Sequence, residues 1–135
     1  MSVTGETGDL TGFLGGIDLF SSLETADLEN LVAAAEQIEL AADEYLFQFG
    51  SPDCSVFVIV QGEIIICRNQ KIISRLGPGE YFGELALLDS GLRSAAARAG
   101  SGARLLELPA EKCRALFQAK PELQASISRT LAGRL

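Results

Sequence analysis

A chain of 135 residues, 47% of them hydrophobic and 21% charged, has the composition of one globular domain that is long enough to bury a core. Its formal net charge of −7 excludes the basic surface with which proteins bind nucleic acids or anionic lipids. The sequence contains no histidine and its three cysteines form no CxxC pair, which argues against a zinc site, a His-ligated haem and Ser-His or Cys-His catalysis.

The N-terminal segment, residues 1–12, is polar and contains glycines, which is typical of a loose lead-in to a domain. It lacks the basic region and the long apolar stretch of a signal peptide. No apolar run in the sequence reaches the ~18 residues that a membrane helix needs. Together with the scattered cysteines, these features predict a cytoplasmic protein with reduced thiols and no membrane partner.

Apolar residues at helical spacing follow the lead-in, at Leu28, Leu31, Val32 and Ala35. This spacing predicts an amphipathic helix with Thr25 as its N-cap and an end near Gln37. We therefore assign residues 13–37 to an N-terminal helical part of the domain.

Residues 38–108 contain β-branched and aromatic runs that are separated at short intervals by glycine, proline and asparagine. Six of these runs have the pattern of strands, namely EYLFQFG, SVFVIVQG, EIIICRN, KIISRLG, SAAARAG and ARLLELP. Gly62 falls between two of them and Asn69 at the tip of a hairpin. Many short strands at near-regular spacing predict a mainly β fold, an antiparallel β-roll of about eight strands flanked by helices at both ends.

Helical spacing returns in residues 109–135, where Pro109 and Pro121 suit the first positions of two helices. Leu123, Ile127 and Leu131 follow one another at a spacing of four. We therefore expect one side of the last helix to be apolar.

The stretch GPGEYFGELALL interrupts the strands with Gly77, Gly79 and Gly83, and it predicts a short helix from Phe82 to Leu88. A glycine turn before a helix exposes backbone N–H groups that can hold an anion, and a following arginine, Arg93, would add a charged planar donor. The carboxylate of Glu84 suits a sugar hydroxyl, so the pattern fits a cyclic nucleotide. A structural Glu84–Arg93 salt bridge beneath a loop is the alternative.

The stretch FGELALLDSGLRSAAARA resembles the phosphate-binding cassette of the cyclic nucleotide-binding domain family. This family includes bacterial cAMP receptor proteins, protein kinase A regulatory subunits and cyclic-nucleotide-gated channels. The match covers Phe82 to Leu88, then Arg93 and Ala95 at the family's spacing, and the rest of residues 13–135 is similar too. The resemblance implies a jelly-roll, or double-stranded β-helix, whose last two segments are the family's B and C helices.

The resemblance implies that Gly83, Glu84 and Leu85 present backbone amides, with the Glu84 side chain on the ribose 2′-hydroxyl and Arg93 on the cyclic phosphate. The implied ligand-binding set is Phe82, Gly83, Glu84, Leu85, Arg93, Ser94, Ala95 and Ala96. In that set Ser94 would donate its hydroxyl and Ala95 its amide to the phosphate. The expected pocket wall or lid comprises Ile64, Ile66, Thr130, Leu131 and Arg134.

Two positions depart from the family pattern. Leu92 stands where the family often has proline, which loosens the turn. Ala96 stands where cGMP-selective members usually carry threonine, so the resemblance implies a modest preference for cAMP over cGMP.

We therefore expect a cyclic nucleotide sensor or regulatory module, without catalysis and without a cofactor, that acts on an effector protein or domain which the sequence does not identify. One alternative is the sensor domain of a Crp/Fnr-like transcription regulator that lacks its DNA-binding part. Another is an interaction domain that has lost ligand binding, although Glu84 and Arg93 count against it.

Overall fold

The computed structural model describes residues 10–17, 20–21, 23–52, 55–83, 93 and 95–119. Within these ranges the helices are α1 (residues 10–15), α2 (Thr25–Ala34) and α3 (Ala110–Ala119). The strands are β1 (Glu36–Leu40), β2 (Tyr45–Phe47), β3 (Ser55–Gln61), β4 (Ile64–Arg68), β5 (Lys71–Leu76), β6 (Tyr81–Phe82), β7 (Ala96–Ala99) and β8 (Ala103–Pro109). None of these helices is long and apolar enough to cross a membrane.

The strands form two four-stranded sheets, in the orders β1-β8-β3-β6 and β2-β7-β4-β5, and every pairing between them is antiparallel. Strands far apart in sequence lie side by side, as β1 does with β8. The predicted antiparallel β-roll flanked by helices is therefore confirmed.

Strand β3 is buried on both of its faces. Val56 and Val58 pack with the helices, whereas Phe57 and Ile59 point between the sheets, as expected from the alternation of side chains along a strand. All four are at most 4% exposed, which explains why VFVIV is an unbroken apolar run. The molecule thus has a helix-to-sheet core and a sheet-to-sheet core, and the candidate site borders the second.

Helix α2 ends three residues earlier than its spacing predicts. Its first residue is Thr25, the N-cap is Glu24, and no side chain caps the helix, so the predicted cap at Thr25 is wrong. Ala35 is extended, and Gln37 lies in β1 opposite Leu106, so the predicted end near Gln37 is also wrong. The backbone bonds that β1 makes with β8 outweigh the local helical pattern.

Two other boundaries also differ from the prediction. Leu10 is helical and 8% exposed, and it packs in the helical core, so the domain begins before residue 13. Pro109 is the last residue of β8, opposite Ser55, and α3 begins at Ala110. The predicted last helix lies outside the described residues.

Both predicted turns are confirmed. Gly62 has φ +88°, and a Cβ there would collide with the carbonyl of Gly102, so only glycine fits between β3 and β4. Asn69 (φ 53°) and Gln70 (φ 64°) join β4 to β5 in a two-residue hairpin of type I′.

Cys113 and Cys67 are free thiols. Cys113 is fully buried in the helical core, and this burial raises the pKa of its thiol to about 12. The thiol therefore stays protonated near neutral pH and acts as a small packing group.

The hairpin offers a stabilising substitution. Gln70→Gly removes the strain of a side chain at positive φ, so we expect the free energy of unfolding to rise by about 0.5–1 kcal/mol. The matched control, Gln118→Gly on the exposed part of α3, should lower it by about 0.5–1 kcal/mol. Urea denaturation measures both, and a loss of stability in Gln70→Gly would contradict the type I′ assignment.

Candidate anion-binding site

The backbone of Arg93 is fixed to the loop between β2 and β3. Its N–H donates to the carbonyl of Ser51 at 2.7 Å, and its carbonyl accepts from the N–H of Gly50 at 2.9 Å. The loop itself is closed by a bond of 3.1 Å from the N–H of Ser51 to the carbonyl of Gln48. These bonds place Arg93 beside the start of β3.

The side chain of Arg93 is 6% exposed, which is unusual for a permanently charged group. Its Nη2 donates to the carbonyl of Ser55 at 2.8 Å. Its Cζ lies 4.3 Å from the ring centroid of Phe47 and 5.5 Å from that of Phe57. A backbone carbonyl and two aromatic faces therefore offset part of the cost of desolvating the guanidinium.

Three phenylalanines form a cluster beneath Arg93. Phe57 and Phe82 stack at 5.3 Å, and Phe47 lies 6.0 Å from Phe57 and 6.1 Å from Phe82. The rings belong to β2, β3 and β6, so the cluster joins the two sheets at the point where Arg93 enters.

Gly83 touches the guanidinium. It follows β6 with φ +83°, and a Cβ there would lie 2.6 Å from Nη1 of Arg93 and 2.7 Å from the carbonyl oxygen of Ser55. Glycine is required for both reasons. Phe82 lies in β6 opposite Phe57, so the predicted helix does not begin at Phe82. Residues 84–88 of that predicted helix are outside the described ranges.

A cleft of about 550 Å³ opens next to Arg93. Ile38, Phe57 and Glu107 line it from one sheet, and Tyr45 and Phe47 line it from the other. Glu107 is half-buried there, and its Oε2 accepts a hydrogen bond of 2.7 Å from the Ser55 hydroxyl. The volume falls within the range typical of small-molecule sites.

The predicted pocket wall is partly corrected. Ile64 is fully buried in the sheet-to-sheet core and has no surface left for a ligand, whereas Ile66 is half-buried at the edge of that core. Ala97 lies opposite Ile66, and Ala96 lies opposite Cys67. Since neighbours along a strand point to opposite faces, Ala96 and Ile66 lie on different sides of the sheet. Ala96 and Ile66 therefore do not line the same face of β4 and β7, and the predicted contact of Ala96 with a ligand stays a prediction.

Of the predicted residues, the structure brings together Phe82, Gly83 and Arg93, and it places Ala95 just before β7. The remaining predicted residues lie outside the described ranges: Glu84, Leu85, Ser94, Thr130, Leu131 and Arg134.

Sequence reasoning missed Phe47, Ser55 and Glu107 as residues of the site. A signal for Glu107 was available, because it is a carboxylate within the apolar strand run ARLLELP. Nothing in the sequence distinguished Phe47 or Ser55, since their roles arise from contacts across the two sheets.

The arrangement is suited to binding an anion. An arginine stays charged at every physiological pH, so Arg93 cannot act as a general acid or base. Its planar guanidinium can bind a phosphate through two parallel hydrogen bonds, and such bonds are stronger where water is excluded.

Comparisons with known proteins agree with the fold and the motif. The model of the family described as the cyclic nucleotide-binding domain matches residues 37–120. The chain is 28% identical over 117 residues to a cyclic nucleotide-gated potassium channel of Mesorhizobium japonicum, covering 87% of this chain and 32% of the channel. It is 29% identical over 125 residues to the cyclic AMP receptor protein of Thermus thermophilus, covering 89% of this chain and 58% of the receptor.

A solved structure is similar as well. The regulatory domain of Toxoplasma gondii PKA with cAMP superimposes with a TM-score of 0.77 at 27% identity, covering 88% of this chain and 46% of that one. The chain thus spans less than two thirds of the length of these relatives.

The contact between Gly83 and Arg93 can be tested by Gly83→Ala. We expect it to lower the free energy of unfolding by about 1–3 kcal/mol more than Gly79→Ala does, because a methyl at 83 meets the guanidinium and the Ser55 carbonyl. Gly79 has nearly the same φ, +87°, with nothing within 4 Å of the added Cβ, so it controls for backbone strain. Equal losses in urea denaturation would show that Arg93 does not pack on Gly83.

Proposed function

The chain belongs to the cyclic nucleotide-binding domain family, and from that premise we propose that it binds a cyclic nucleotide, with cAMP preferred to cGMP, as a non-catalytic regulatory module. The observation that carries this proposal is the burial of Arg93 against Gly83, at the family's cassette spacing. A desolvated arginine beside a glycine turn can bind a single negative phosphate through charge-assisted hydrogen bonds.

The remaining contacts are proposed from the resemblance. The amides of Gly83, Glu84, Leu85 and Ala95 and the hydroxyl of Ser94 complete the phosphate cradle. The Glu84 carboxylate accepts from the ribose 2′-hydroxyl, because an ionised carboxylate is acceptor-only and the hydroxyl supplies the proton.

Ile66 is our candidate for the wall beside the base, since it borders the sheet-to-sheet core without being fully buried. The preference for cAMP is proposed from the resemblance at Ala96. It is supported by two of the similar proteins, a cyclic AMP receptor protein and a PKA regulatory domain with cAMP.

We place the transmission of the signal in residues 121–135. Leu131, with Thr130 and Arg134, would close over the base and add to the apolar surface that the nucleotide contacts. A ligand shifts such a closure only by its different affinity for the closed and open states. The effector is unidentified. A transcription regulator is the second candidate, because the chain is 24% identical over 122 residues to a CRP-like cAMP-activated global transcriptional regulator of Mycobacterium tuberculosis.

Calorimetric titration with cAMP and cGMP tests the proposal. Arg93→Ala should weaken binding roughly thirty-fold or more, because losing one partner of a desolvated charge pair typically costs ~2–5 kcal/mol. The matched control is Arg98→Ala on β7, whose partner is the exposed Asp43 at 3.1 Å, and it should change the affinity less than about twofold. Absence of binding by the wild-type chain to both nucleotides would refute the function.

The same titration assigns Glu84. Glu84→Ala should weaken the binding of cAMP, and it should weaken the binding of 2′-deoxy-cAMP much less, because that analogue lacks the hydroxyl. Equal losses for both ligands would place Glu84 away from the ribose.

Hydrogen–deuterium exchange tests the closure. Amides of residues 121–135 should exchange more slowly when cAMP is added, because the ligand adds to the surface on which this segment docks. Amides of α2, which packs in the helix-to-sheet core and does not line the cleft, serve as the internal control and should not change. Identical exchange of residues 121–135 with and without cAMP would locate the switch elsewhere.

A further inference from the structure

Glu107 occupies a costly position. Along β8 the side chains of Ala103, Leu105 and Glu107 point toward the other sheet. Ala103 and Leu105 belong to the apolar sheet-to-sheet core. On β1 the residue directly opposite Glu107 is another carboxylate, Glu36. Like charges directly opposite each other destabilise a sheet, and a leucine would fit this row better.

Ser55 connects Glu107 to Arg93. The Ser55 hydroxyl donates to Oε2 of Glu107 at 2.7 Å, and the carbonyl of the same residue accepts from Nη2 of Arg93 at 2.8 Å. The bond to Arg93 is buried, and the bond to Glu107 is partly buried. Water therefore competes little for the first bond and only in part for the second. The other end of the guanidinium, Nη1, faces Gly83.

The charges of Glu107 and Arg93 also favour the observed position of the arginine. Glu107 and Arg93 line the same cleft and both hydrogen-bond to Ser55, so opposite charges lie on neighbouring parts of the cleft wall. Charges interact more strongly in a partly buried cleft than in water. The carboxylate therefore favours the observed position of the guanidinium, in which Nη2 bonds to Ser55 and Nη1 faces Gly83.

We propose that Glu107 and Ser55 are positioning residues for Arg93, a role that rests on the proposed binding of a cyclic phosphate. Glu107 fixes the Ser55 hydroxyl, Ser55 holds Nη2 through its carbonyl, and the carboxylate attracts the guanidinium across the cleft. Neither residue touches the ligand. A carboxylate at this position lowers the free energy of unfolding. In return, the arginine is held in place before the phosphate binds, which raises the affinity for the ligand.

The first test compares Glu107→Leu and Ser55→Ala with a matched control, Glu36→Leu, which removes the opposing exposed carboxylate. We expect the first two to raise the Kd for cAMP roughly two- to tenfold, the factor that one net hydrogen bond supplies. Glu36→Leu should leave the Kd unchanged. Glu107→Gln, which keeps an acceptor for Ser55, should recover part of the loss.

A double-mutant cycle separates positioning from general damage to the fold. In an Arg93→Ala background, Glu107→Leu should have no further effect on the Kd, because the residue through which it acts is gone. The single variant Glu107→Leu should have a midpoint of urea denaturation equal to or above that of the wild-type chain. An equal fold-loss in both backgrounds, or wild-type affinity in Glu107→Leu, would overturn the proposal while leaving cyclic nucleotide binding intact.

A measurement without ligand decides the proposal even if the chain binds no nucleotide. The side-chain Nε–H signal of Arg93, assigned by its loss in Arg93→Lys, should exchange slowly with water in the wild-type chain. It should exchange several-fold faster in Glu107→Leu. Its exchange rate in Glu36→Leu should equal that of the wild-type chain. Identical exchange in all three would show that Glu107 does not hold Arg93.

Discussion

The burial of one guanidinium is the constraint on which the candidate site depends. Arg93 cannot lose its charge, so its burial requires partners that replace water. The carbonyl of Ser55 supplies one hydrogen bond, and the faces of Phe47 and Phe57 supply polarisable surface. Each partner comes from a β-strand, so the guanidinium is buried only where the two sheets pack together.

This dependence explains several features at once. Gly83 must lack a side chain because the guanidinium lies where a Cβ would be. Phe82 must be in a strand because its ring stacks on Phe57 under the arginine. The loop before β3 is fixed because Ser51 and Gly50 bond to the backbone of Arg93.

The helix-to-sheet core and the sheet-to-sheet core differ in their polarity near the candidate site. Val56, Val58 and Leu106 pack with the helices in one apolar core. The space between the sheets is apolar around Leu105, and near Arg93 it is lined by Glu107 as well. A site at the edge of a core combines rigid walls with low polarity, and both strengthen the interaction between a fixed charge and an anion.

The sequence alone determined the β-roll, its glycine and Asn69 turns, and the pairing of Gly83 with Arg93 in one motif. Those features depend on local patterns: alternation, punctuation by turn residues, and the spacing of a short motif. Tertiary structure decided the rest. It moved Gln37 from a helix into β1, because pairing with β8 outweighs local propensity. It set Ala96 on the face away from Ile66 and brought Ser55 and Glu107 to Arg93, because strand register and contacts between residues distant in sequence are fixed only when the two sheets pack.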